Sequence, residues 1–355
     1  MGKNIVIFSD GTGQKGGVGS NTNVYKLFNM VEDRTERQIA FYDSGLGTDW
    51  RKITGLIAGQ GFSKNILDCY RFLHENFKAD DQIYLFGFSR GAATVRSLSG
   101  FIHLFGILPN SRADLIDQAF DIYRIRNADE RKEKAKAFIK KHHTMWCKIK
   151  FLGVWDTVAA LGLPIKGVGD VLDHFFPHKF HSFDLSESVE FARQALSIDE
   201  ERKTFHPVIW NPIENDVNGK LKQVWFCGVH TDVGGGYEEE DLSNIALQWM
   251  IQEAIDKNLL IYDTRALESF MALNPDINGL MHNEQKQFPG KLLKRMKRNW
   301  DKATHGEPCI HESVLKRTKN GDNSDTSKYS PWIFNLIDKD KPLIEPWIKQ
   351  TKKSS

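Results

Sequence analysis

Cysteine is scarce in this chain, with four among 355 residues, and Cys69, Cys147, Cys227 and Cys309 stand far apart with no C-x-x-C pair. That spacing gives no zinc-finger or thiol redox motif, so reduced, buried thiols are expected. Excess charge of either sign is lacking as well. The 48 lysines and arginines nearly cancel 46 aspartates and glutamates, and a net charge of +2 supplies no global field for nucleic acid. Nor does any apolar run reach the roughly 18 residues of a membrane span. The opening Met1-Gly2-Lys3-Asn4-Ile5-Val6 passes directly into a strand-like run, without the long apolar region of a signal peptide. Val6 stands where a myristoylation signal needs Ser or Thr. The expectation is synthesis in the cytoplasm, with export by a machine that needs no cleavable signal left open. No repeat or low-complexity linker breaks the chain.

What is present is a 40% hydrophobic composition, enough for a sizeable core. Short apolar runs alternate with helical stretches, the signature of an α/β fold with a mostly parallel sheet covered by helices on both faces. Strands are expected at Ile5–Phe8, Gln38–Tyr42, Ile83–Phe88, Lys150–Trp155 and Val224–Val229. Helices are expected at Asn23–Val31, Phe62–Phe77, Gly91–Phe105, Arg112–Arg124, Asp129–Lys140, Ser186–Ile198, Leu242–Lys257 and Gly290–Trp300. One domain over residues 1–345, followed by a polar tail at 346–355, accounts for this pattern. Residues 161–215 form a long excursion rich in aromatics and histidines, among them His174, Phe175, Phe176 and His178, and read either as a lid or cap or as local packing.

Gly87-Phe88-Ser89-Arg90-Gly91 follows the apolar run Ile83–Phe86 and precedes Ala92 and Ala93. A strand that turns sharply at a serine and leaves as a helix is the nucleophile elbow of α/β-hydrolases. Glycines on either side remove side chains that would collide across the turn. Such a serine needs a histidine base and a carboxylate to hold it, in the chain order Ser, Asp or Glu, His. Loops at the carboxyl ends of parallel strands converge, which brings distant residues together. Ser89, Asp156 and His230 each follow a strand directly and satisfy the order. Asp232 with His311 is the rival pair, although nothing ahead of His311 reads as a strand; Asp232 otherwise orients the His230 loop or caps the next helix.

Donors for an oxyanion are expected at the backbone N–H of Arg90 and at Gly11 or Thr12 in the first strand's loop. The glycines of that loop match neither the Walker pattern nor G-x-G-x-x-G, which leaves little for a nucleotide. Asp10, Asp156, Asp232 and His230 form an alternative set, a metal site of a phosphoesterase with no need for the serine. With the serine route no cofactor is required. Lys291–Trp300 is basic with interleaved apolar residues and reads as a solvated face or as a helix lying on an anionic membrane. A non-catalytic binding module on the same fold stays open.

Five blocks together resemble a known family, the α/β-hydrolases typified by phospholipase effectors of bacterial type VI secretion. They are Phe8-Ser9-Asp10-Gly11-Thr12 with Asn21–Val24, Gly87–Ala92, Gly153–Val158, Ala195–Arg202 and Trp225–Tyr237. The resemblance implies a serine esterase or lipase acting on phospholipid or another ester, with the triad on Ser89, Asp156 and His230. It implies a structural ion-pair network at Asp199–Arg202. Secretion and immunity partners are left unassigned.

Overall fold

The computed structural model describes residues 2–11, 16–17, 19–31, 33–45, 55–158, 185–213, 216, 218–261, 272–284, 294–320, 329–338 and 340–347. Strands β1 (Asn4–Ser9), β2 (Gln38–Asp43), β3 (Gln82–Phe88), β4 (Ile149–Trp155), β5 (Val189–Ser197), β6 (Leu221–Phe226), β7 (Cys309–His311) and β8 (Ile344–Glu345) form one sheet. Their order is β2-β1-β3-β4-β5-β6-β7-β8, and every pairing is parallel. Helices lie on both faces. These are α1 (Asn23–Met30), α2 (Gly55–Asn76), α3 (Arg90–Phe105), α4 (Leu115–Tyr123), α5 (Ala128–His142), α6 (His230–Gly234), α7 (Asp241–Ile255), α8 (Lys302–His305) and α9 (Glu312–Asn320).

Side chains alternate across a strand, and here both faces are apolar, so each strand feeds two cores. Ile5 and Ile7 of β1, with Ile83 and Leu85 of β3, pack on one side against α2 to α5. Val6 and Phe8, with Tyr84, Phe86 and Phe88, pack on the other side against α1 and α7. A third cluster surrounds β6 and β7, where Trp225 meets Trp300 and Trp332. The architecture is α/β-hydrolase-like, with the strand order reversing between β1 and β3. At that switch point the carboxyl ends of the strands open a crevice.

Four expected strands and most helices lie where the sequence places them; the fifth, β6, ends at Phe226, three residues short of the expected Val224–Val229, so His230 follows it after a short loop, and three further elements differ. Ser186–Ile198, read as a helix, contains the interior strand β5. It explains why the excursion after β4 is too long for one crossover: a further strand lies inside it. Residues 159–184, which carry its aromatic and histidine stretch, lie outside the described residues, as do 348–355 of the tail. The short β7 does precede α9, so His311 ends a strand after all. Finally, Lys294–Trp300 is not helical: Arg295 bridges Arg202, while Arg298 and Trp300 are buried. A membrane-lying helix needs its cations facing outward, and Arg298 faces the core; Lys291–Leu293 lie outside the described residues. Among the described residues no helix is long and apolar enough to cross a membrane.

Candidate active site

Strand register determines which side chains meet at the crevice. Phe88 aligns with Trp155, Trp155 with Ala195, and Ala195 with Val224, so the loops after β3, β4 and β6 open at neighbouring points. Ser89 begins the first of these loops with φ 57° and ψ −119°, left-handed backbone that a side chain seldom adopts. The flanking glycines permit it. A Cβ on Gly87 would sit 2.5 Å from the Gly91 carbonyl oxygen, and one on Gly91 would sit 2.0 Å from that of Ser9. The turn therefore packs backbone on backbone, as the motif requires.

His230 starts α6 and reaches back to the serine. Its Nε2 lies 2.9 Å from Ser89 Oγ, and its Nδ1 lies 2.6 Å from Asp156 Oδ2. The imidazole sits between the rings of Phe88 and Phe205, with centroids 4.6 and 4.9 Å away. Gly234 makes room for Phe88, since a Cβ there would meet that ring at 2.0 Å. Asp156, also left-handed at φ 40°, is fully buried. Its Oδ1 accepts from the Ser197 N–H at 3.0 Å and from Arg298 Nη1 at 2.6 Å, while Oδ2 accepts from Arg298 Nη2 at 2.7 Å. Burial alone pushes its pKa up; the charge and hydrogen bonds of Arg298, then those of His230, outweigh it and hold the carboxyl well below the usual range.

The other expected residues divide. Gly11 lies beside Ser89, and its N–H donates to Asp10 Oδ1 at 2.7 Å; Thr12 lies outside the described residues. Arg90 opens α3, where a first N–H has no intrahelical acceptor. Burial lowers the pKa of its guanidinium to about 10. Asp10 is occupied by Thr22 and Tyr42, each hydroxyl 2.7 Å from Oδ2, and burial raises its pKa. Asp232 accepts from the Val229 N–H at 2.9 Å and from His282 Nδ1 at 2.7 Å, so it fixes the loop that carries His230. His311 lies against Phe226, centroids 4.7 Å apart, and bonds Ser313 Oγ at 2.8 Å; burial lowers its pKa to about 3. Neither the Asp232/His311 pair nor the Asp10, Asp156, Asp232 and His230 set comes together. Among the described residues no three His, Cys, Asp or Glu side chains converge as a metal site.

Residues 3–253 match the family described as T6SS phospholipase effector Tle1-like, catalytic domain. The chain belongs to that family. It is 29% identical to the uncharacterised protein YEL023C of Saccharomyces cerevisiae over 259 residues, 65% of this chain and 36% of that protein. An uncharacterised protein from Pseudomonas aeruginosa shares 18% identity at a TM-score of 0.46, covering 78% of this chain and 49% of its own. A Tle1 effector bound to the VgrG spike of the type 6 secretion system shares 21% identity at a TM-score of 0.40, covering 67% and 52%. The chain thus spans about a third of the length of that curated relative and about half of those solved chains.

Outside the residues matched to the Tle1-like catalytic domain lies one side chain that sequence reasoning missed, Arg298. No local signal marks it: Arg298 and Trp300 are buried while Lys297 and Asn299 are exposed, yet in sequence Arg298 reads as one more cation of a basic run. The ion-pair network that the resemblance implies at Asp199–Arg202 is there, with Arg202 Nη2 2.6 Å from Glu200 Oε2 and Arg295 Nη2 2.6 Å from Glu201. Glu200 Oε2 also lies 3.4 Å from the His230 N–H. Burial raises the Glu200 pKa, and Arg202 more than reverses that.

Proposed function

We propose that this chain is a serine hydrolase of carboxylic esters of the phospholipase type, working through Ser89, His230 and Asp156. The observation that carries the reading is the continuous chain Ser89 Oγ, His230 Nε2, His230 Nδ1, Asp156 Oδ2 at 2.9 and 2.6 Å on a left-handed serine. Ser89 Oγ attacks the ester carbonyl as His230 Nε2 takes its proton. Asp156 keeps the imidazole in the tautomer that presents Nε2 as acceptor and stabilises the imidazolium. The proton passes to the departing alcohol, leaving an acyl-serine that water then hydrolyses by the same route in reverse. The Arg90 N–H supplies one oxyanion donor, a contribution worth about 2.7–4 kcal/mol of barrier in related sites. Membership of the Tle1-like family favours a phospholipid acyl ester as substrate.

A fluorophosphonate probe tests the reading. Wild-type protein is expected to label at one serine, and Ser89→Ala to lose the label; a wild type that resists the probe, or a labelled S89A, overturns it. On a p-nitrophenyl ester His230→Ala is expected to lose turnover, whereas His311→Ala keeps it per folded molecule. A panel of phospholipids and soluble esters then gives the preferred acyl donor.

A further inference from the structure

On the Ser89–His230–Asp156 reading above, we infer that Arg298 is a positioning residue for hydrolysis, locking the carboxylate that holds His230 and setting the charge the imidazole meets. Arg298 is fully buried and uses four of its five N–H donors. Two go to the two oxygens of Asp156, a fork on a fork. The other two go to the carbonyl oxygens of Ser197 and Phe205, at 2.7 and 2.8 Å. Those carbonyls belong to the scaffold, so the guanidinium is fixed independently of the acid it grips. Asp156 Oδ2 is shared between Arg298 Nη2 and His230 Nδ1, and a carboxylate clamped at both oxygens cannot rotate away from the imidazole.

The same contact changes the electrostatics. A lone buried carboxylate strongly favours the imidazolium; a carboxylate already paired with a guanidinium favours it less. The other groups facing His230 do not replace this cation. Glu200 is neutralised by Arg202, Asp232 is turned to His282, Ser89 is a neutral hydroxyl, and the rings of Phe88 and Phe205 carry no charge. Arg298 thus fixes the acid and offsets part of its charge.

The test compares wild type, Arg298→Gln and Arg298→Lys on a soluble p-nitrophenyl ester across pH, alongside fluorophosphonate labelling. R298Q is expected to lower kcat about a hundredfold with KM little changed, the size of effect that follows ~1 Å of misplacement. The acid limb of its kcat/KM profile moves to higher pH, because removing a cation favours the protonated imidazole. R298K keeps the wild-type acid limb but regains only part of kcat, since an ammonium cannot fork. A folded R298Q with wild-type kcat and an unmoved acid limb overturns the role. Should R298Q not fold, R298K decides alone, and full wild-type kcat in it has the same meaning. If the wild type itself resists the probe at Ser89, the triad reading and this inference fall together; a labelled wild type with indifferent Arg298 variants sinks this inference only.

Discussion

Asp156 and Arg298 illustrate how a buried charge can be safe only as one half of a pair. Each side chain is sealed from solvent, and each supplies the other's counter-charge. Removing one partner leaves the other uncompensated, at a cost of about 3–5 kcal/mol, whereas removing both is far gentler. Asp156→Asn is therefore expected to lose both functions of the acid: turnover falls by about 10⁴-fold through the wrong imidazole tautomer, and the fold weakens by several kcal/mol. The double variant D156N/R298Q recovers most of that stability and none of the turnover. Chemical denaturation and ester kinetics on the same preparations separate the two effects; a double variant no more stable than D156N contradicts the pairing argument.

At the scale of elements, legibility followed local pattern. The elbow at Ser89 and the strand ending at Trp155 are readable because each is an apolar run with a polar stop, whereas the apolar run to Val229 outlasts β6 by three residues; strand register brings Asp156 and His230 to the serine. β5 misled because Ala192, Arg193, Gln194, Ala195 and Leu196 are helix or mixed formers by propensity. Position in the sheet overrides that preference: Arg193 is held by Glu253, and Gln194 donates to the Val208 carbonyl at 3.0 Å. β7 and β8, of three and two residues, are too short to leave a period. Arg298 was hidden for a different reason, since nothing local reveals a counter-ion placed 142 residues earlier. The α6 turn makes its own prediction. Gly234→Ala places a methyl group into the Phe88 ring on which His230 rests, so turnover should fall more than tenfold, an effect of about 1.4 kcal/mol or more in the barrier. Adding Phe88→Leu restores space and part of the rate; an unaffected G234A speaks against Phe88 as a support for the histidine.

For the molecule as a whole, the family match ends at residue 253, yet the structure does not. β7, β8 and α9 lie beyond it, and Trp225 of β6 is enclosed by Trp300 and Trp332 at centroid distances of 5.9 and 5.4 Å. A chain stopped after Glu253 would expose that tryptophan and strand Asp156 without its arginine. Such a truncation is expected to lose the near-ultraviolet circular dichroism of packed aromatics and to unfold without a sharp transition, whereas a cooperative melt would show that the downstream strands are dispensable. The separation of Asp156 from Arg298 also has a meaning in time. A ribosome adds about 5–20 residues per second, so the acid emerges roughly 7–30 seconds before its clamp. Serine, aspartate and histidine of the proposed triad are all translated first, and the arginine that fixes their acid is made last.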